Sequence, residues 1–474
     1  VSLTVFRGSQ SHTAFQTREV IFDPHVHLTL AGSPYYFSSS ISIQPGQSLT
    51  VDSGVVVNFA PDTGLTILGQ LSATGATFGG SETQGWKVMV ISTPAPVVFN
   101  GCTILNAIQA LKLQDCSFTI NKLLISKTQV FPNELGLWVL GASNMVLNNV
   151  QVIGYLRGIV FNNEELRITT SASLSNVRIR NSSSSVRPDN RGLEVMGAVG
   201  LSLSDVLLEE YDEGIYWDGQ GAAYSRTTPS LSNVRIRNSS SSVRTQTFGL
   251  KMVDVSSITA ENDTIEGYIT GFSLQTTGNY RATTSASLSN VRIRNSSSSV
   301  RTATVGIDFR GSIAASFSEL DIQDCGTGLY YEGDGQPFER TTPSLSNVRI
   351  RNSSSSVREP VSGIVLKNLA AVNLLQNTIY PAPTETGNAS GVAIYLQNVA
   401  SSNIQQNTIW GLETGLELQN SATSFDSNII WTKGSELAQP IVNAGGSLAV
   451  SNSCISYSGR SEEHTSELQS RQVI

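Results

Sequence analysis

The chain has 474 residues, with 30 Lys+Arg against 37 Asp+Glu, 40 Gly, 15 Pro, four Cys and four His. A net charge of −7 excludes nucleic-acid binding by bulk charge, and a hydrophobic content of 39% excludes a disordered chain. Charged residues make up 14%, where about 25% is usual, and Ser, Thr and Asn fill the gap, a surface that suits a secreted or cell-surface protein. No apolar run of ~20 residues occurs, so no membrane-spanning helix is predicted.

Residues 1–38 carry no regular period and read as an irregular N-terminal segment. Within it, Asp23-Pro24-His25-Val26-His27 sets two imidazoles side by side. Two ligands without a third do not make a metal site, and none is expected. From residue 39 the apolar residues alternate with polar ones, the period of a strand. Cys102, Cys116, Cys325 and Cys454 follow no metal spacing and read as single buried thiols. No cofactor is implied.

The central signal is a repeat over 136–362. Ser-Leu-Ser-Asn-Val-Arg-Ile-Arg-Asn-Ser-Ser-Ser-Ser-Val-Arg occurs four times unchanged, and its leucines, Leu174, Leu231, Leu288 and Leu345, are spaced by 57 residues. Between the copies a glycine precedes alternating apolar residues at Gly136, Gly158, Gly192, Gly214, Gly249, Gly271, Gly306, Gly328 and Gly363. The gaps run 22, 34, 22, 35, 22, 35, 22, 35. Each 57-residue unit is therefore two turns of chain, one of about 22 residues and one of about 35. Strand-period turns of this length stack as coils, which predicts an all-β, right-handed parallel β-helix over 39–459.

The early coils read Ser42-Ile-Gln-Pro-Gly-Gln-Ser-Leu-Thr-Val-Asp and Gly64-Leu-Thr-Ile-Leu-Gly. Late ones carry Gln376-Asn-Thr-Ile379, Gln406-Asn-Thr-Ile409 and Ser427-Asn-Ile-Ile430. On these motifs the chain resembles the right-handed parallel β-helix superfamily often called pectin-lyase-like, in its bacterial surface and secreted members. The resemblance implies one of several roles, because the fold carries lyases, hydrolases, adhesins and spacers.

In each long coil the extra residues are expected on either side of the strand Val-Arg-Ile-Arg. With Val and Ile inward, Arg178, Arg180, Arg235, Arg237, Arg292, Arg294, Arg349 and Arg351 point outward, and Arg187, Arg244, Arg301 and Arg358 close the Ser-rich loops. Two readings follow. Glu209, Glu266 and Asp321 fall between successive arginines and would make a cross-strand charge ladder. Alternatively, the guanidinium rows bind an acidic polysaccharide or cell-surface glycan. Asn181, Asn238, Asn295 and Asn352 each open an Asn-Ser-Ser sequon.

Catalysis would need one irregular constellation. Hydrolases of the resembled fold imply paired acids backed by a histidine, yet residues 28–459 contain no histidine. The candidate carboxylates are Asp218, after Trp217, and Glu332 and Asp334, after Tyr331, with those aromatics available to stack on sugar rings. The preferred reading is a monomeric extracellular or surface adhesin, glycan-binding surface or stalk. The alternative is a polysaccharide lyase or glycoside hydrolase acting in a groove along the helix. Residues 460–470, Arg-Ser-Glu-Glu-His-Thr-Ser-Glu-Leu-Gln-Ser, read as the translation of a common sequencing adapter, and 460–474 are treated as a non-native tail.

Overall fold

In a computed structural model the protein is described over residues 2–5, 17–19, 24–129, 131, 134–141, 144–163, 170–181, 190–219, 227–239, 247–277, 284–295, 304–333, 342–352, 361–380, 391–410, 412–433 and 439–458. The adapter-like tail lies outside these residues, as do Asp334, Arg187, Arg244, Arg301 and Arg358. The described residues form an all-β, right-handed parallel β-helix whose contacts divide into two units, Val1–Pro229 and Ser230–Ile474.

Alternation makes each short run a strand with one face inward. In the second unit a coil reads Phe248–Val253, then Ser257–Glu261, then Thr264–Glu266, before Thr270–Gln275 begins the next. Three strands per coil close a small cross-section. The corner between the second and third strands is a single residue at positive φ, such as Asn233 (56°), Asn262 (59°), Asn290 (51°), Glu319 (56°) and Gln376 (57°). Asn tolerates this left-handed conformation better than most residues, which explains why amide side chains dominate the corner.

Cross-coil register fixes the repeat. Along the glycine-led strand, Leu250, Phe272, Ile307, Leu329 and Ile364 pair in turn, in steps of 22, 35, 22 and 35. Along the arginine strand, Arg235, Thr264, Arg292, Asp321 and Arg349 pair in steps of 29, 28, 29 and 28. Both alternations return to 57. They differ because the long coil's insertions fall at 278–283 and 296–303, on either side of a pair of strands, Thr284–Ser289 and Arg292–Arg294. In the second unit this corrects the expectation that the insertions flank one strand, since the Ser-rich insertion borders the arginine strand and the Thr-Thr insertion borders its partner; in the first unit one continuous strand, Thr170–Arg180, lies between them. The insertions themselves lie outside the described residues.

The inward rows make the core. In the first unit Leu111, Leu137, Ile159, Leu193 and Ile215 stack in register and are all buried. Burial of each such side chain stabilises by about 1.5–3 kcal/mol. Phe59 stacks on Trp86 with centroids 4.4 Å apart. Parallel stacking in this unit starts at His25–Leu28, which pairs with Ser48–Val51, while Ser2–Val5 pairs antiparallel with Thr17–Glu19 and Tyr35–Phe37.

The glycine rows have a steric cause. A Cβ on Gly306 would lie 2.5 Å from the carbonyl oxygen of Gly328 and 2.5 Å from Cγ2 of Ile322. An inward branched side chain of the third strand thus fills the space the glycine leaves, an isoleucine in most coils but Val152 at Gly136 and Leu208 at Gly192. In the late coils a polar ladder replaces the apolar one behind the corner. Asn377 N–H donates to Oδ1 of Asn407 (2.9 Å), and Asn407 N–H donates to Oδ1 of Asn428 (2.8 Å). No helix among the described residues is long and apolar enough to cross a membrane.

Candidate functional site

The third strand of each repeat presents its arginines as alternation requires. Val177, Val234, Val291, Val348 and Ile179, Ile236, Ile293, Ile350 are buried. Arg178, Arg180, Arg235, Arg237, Arg292, Arg294 and Arg349 are exposed, and Arg351 is half-buried.

In the first unit Arg180 pairs in register with Glu209, but the ion pair forms on the diagonal. Arg178 Nε and Nη2 donate to one Glu209 oxygen at 3.0 and 2.7 Å. Glu209 is 3% exposed, so this guanidinium neutralises a nearly buried carboxylate.

In the second unit two rows run across successive coils. One is Arg235, Thr264, Arg292, Asp321, Arg349, Thr378, and the other is Arg237, Glu266, Arg294, Gln323, Arg351, Tyr380. The placement of Glu266 and Asp321 between arginines follows the sequence reading. The pairs vary in closeness. Arg351 grips Asp321 with both prongs, Nε at 3.2 Å and Nη2 at 3.1 Å. Arg292 Nε stands 3.7 Å from Asp321, and Arg294 Nε 3.6 Å from Asp324. The Arg292 side chain keeps 61% of its accessible surface. Six arginines here face Glu266, Asp321 and Asp324, so the face is cationic in a chain of net charge −7.

The second row does not stop at Arg351. It continues through Tyr380 to Trp410 and Trp431. The sequence reading passed over these three because they lie in different coils, and only register brings them into one file.

The sequon asparagines face the other way. Asn181, Asn238, Asn295 and Asn352 are 4–6% exposed. Asn352 Oδ1 accepts from Cys325 N–H at 3.0 Å and its Nδ2 donates to Cys325 O at 3.1 Å. An amide nitrogen committed to the interior is not open to a glycan, so the sequon reading is corrected. Cys102, Cys116 and Cys325 are buried, and burial raises the Cys325 thiol to about 12. Cys454 is exposed, against expectation.

Asp218 and Glu332 end equivalent glycine-led strands, one in each unit. Each accepts a hydrogen bond from the tyrosine two residues before it: Tyr216 Oη to Asp218 at 3.3 Å, and Tyr330 Oη to Glu332 at 2.7 Å. Burial, then the Glu332 carboxylate, pushes the Tyr330 phenol up to about 12, so Tyr330 donates a proton in this pair and does not serve as a base near neutral pH. Trp217 and Tyr331, read as sugar-stacking rings, are fully buried in the core. Strict alternation after Gly214 and Gly328 carries that signal, since an outward Asp218 or Glu332 requires an inward neighbour. His25 Nδ1 lies 2.9 Å from Ser48 Oγ, and His27 Nε2 lies 2.8 Å from Asp52 Oδ1. No cluster of three metal-ligating side chains occurs among the described residues. An open cleft of about 310 Å³ beside Tyr36, Asn58 and Pro61 contains no ionisable acid or base besides the tyrosine.

The chain is similar to four known families or proteins. Residues 256–438 match the family described as periplasmic copper-binding protein, NosD. That stretch contains no His and no Met, and its one Cys is the buried Cys325, so its donors do not fit copper. Over 48 residues the chain is 46% identical to the protein bark beetle of Drosophila melanogaster, a match spanning 10% of this chain and 2% of that one. Among solved structures it is similar to the tailspike of Escherichia coli bacteriophage HK620, solved with a hexasaccharide (11% identity, 91% of this chain and 74% of that chain, TM-score 0.29). It is also similar to the Agl-KA catalytic domain (12% identity, 90% and 62%, TM-score 0.25). At such TM-scores neither bears on what this chain binds.

Proposed function

We propose that this chain is a non-catalytic, glycan-binding β-helix acting outside the cytoplasm as a monomer, and that its arginine rows hold an acidic polysaccharide. The observation that carries this reading is the excess of exposed guanidinium groups over carboxylates on one strand face of the second unit. Arginines recur on alternate coils, about 10 Å apart at the ~4.8 Å strand spacing, so a charged chain would meet several weak sites at once. The loose pairs at Arg292 and Arg294 leave donors for a carboxylate or sulfate. The periplasmic placement of the NosD family supports action outside the cytoplasm.

The test incubates the protein with acidic and neutral polysaccharides and measures bound protein and new chain ends together. Binding to acidic polymers that weakens with salt, without cleavage, is expected. Arg292→Gln, Arg294→Gln and Arg349→Gln should each weaken it in part. New chain ends would overturn the reading in favour of a lyase or hydrolase and direct attention to Asp218, Glu332 and Asp334.

A further inference from the structure

Five tryptophans occur in the chain, and the fold treats them differently. Trp86 and Trp217 are fully buried, and Trp138 lies beneath the Lys112 ammonium at 4.5 Å. Trp410 and Trp431 remain 40% and 44% exposed. Neither sits on an open edge. The strand Thr408–Trp410 lies between Thr378–Tyr380 and Ile429–Lys433, and Ile429–Lys433 is covered in turn by Cys454–Ser458. Their exposure therefore belongs to the outward side of a paired sheet.

Trp410 and Trp431 pair directly in register, and the Tyr380 ring meets the Trp410 ring edge-on with centroids 6.5 Å apart. Thr378, Thr408 and Ile429 form the adjoining row, with Ile429 48% exposed. Aromatic rings in single file, bordered by threonine hydroxyls, suit a ligand with flat apolar faces and hydroxyl edges, which is the chemistry of a pyranose ring. A strip this narrow is small beside the ~800 Å² that each partner of a stable protein interface buries. Arg351 pairs with Tyr380 in the same row, so a cation adjoins the ring platform along the line a polymer would take.

We propose that Tyr380, Trp410 and Trp431 form a ring-stacking platform continuous with the arginine row, so that this face binds a polysaccharide of acidic pyranose units lying across the coils. The inference rests on the proposed reading of the arginines and names where the sugar rings are held. Carboxylate or sulfate groups pair with the guanidinium file, and the uncharged ring faces cover the indoles.

The experiment uses the full chain, polygalacturonate oligomers and the same oligomers with their carboxyl groups reduced. Binding is read by calorimetry and by tryptophan fluorescence, at low salt and at high salt. High salt screens the arginines and isolates the platform. The doubly substituted Trp410→Ala, Trp431→Ala protein should lose about tenfold or more in affinity for both oligomers, and Trp410→Phe should recover part of the loss. Circular dichroism and sedimentation check that each variant folds and remains in the parent's oligomeric state. Unchanged affinity in the double variant, with loss in Arg292→Gln, would overturn the platform and leave the arginine reading standing. No binding by the parent would overturn both. A change of oligomeric state without a change in sugar affinity would assign the strip to contact between copies and overturn the platform.

Discussion

Two stretches of the second unit use the same corner in opposite ways. In the repeated coils the left-handed residue is followed inward by Val234, Val291 or Val348, and the outward rows carry charge. In the late coils it is followed by Asn377, Asn407 or Asn428, all buried, and the outward rows carry aromatic rings. Polar contacts hold the coils from outside in one stretch and from inside in the other. The backbone requirement is the turn and the alternation, and either filling satisfies it. Asp263 is the crossover case. It occupies the inward position among valines, its Oδ1 accepts Val234 N–H at 2.7 Å, and its buried Oδ2 accepts no hydrogen bond among the described residues.

The largest effect should come from converting that crossover. Burial raises the Asp263 carboxyl to about 7. The unfolded chain ionises this group from about pH 4, so stability is fullest below that point and is lost as pH rises toward 7. Asp263→Asn should therefore stabilise by up to on the order of 4 kcal/mol at pH 8 and change little at pH 4, as read from denaturant midpoints at the two pH values. The converse change cuts the inner ladder. Asn407→Ala leaves Asn377 N–H and the carbonyls of Leu374 and Gln405 short of a partner, and thermal unfolding should report a loss of about 3 kcal/mol.

The outer ladder sharpens the contrast with smaller numbers. Arg178→Ala removes two hydrogen bonds from the nearly buried Glu209 and should cost about 2 kcal/mol, whereas Arg292→Ala should cost under about 0.5 kcal/mol, with urea titration of both variants as the check. Asp321→Asn should fall between them, near 1 kcal/mol, because it releases the two-pronged Arg351 contact, and its effect should shrink in high salt.

Much of this was readable in advance. Exact copies 57 residues apart and alternating glycine gaps determined the coil lengths, the strand faces and the positions of Glu266 and Asp321. What escaped was whatever depends on a neighbour one coil away. Ser-Ala-Ser-Leu-Ser carries small residues on both faces, so its separate strand was hidden beside Val-Arg-Ile-Arg. The sequon asparagines look like loop residues until Cys325 is found claiming the amide of Asn352. Trp410 and Trp431 stand 21 residues apart and become one surface only through register.

The two step patterns, 22 with 35 and 29 with 28, share the sum 57. Deleting or duplicating one such block therefore preserves every row: glycine still meets glycine, isoleucine still fills the gap, and arginine still alternates with its neighbours. Length thus becomes a heritable variable that recombination between identical copies can adjust in increments of two coils, about 10 Å, without redesigning either end.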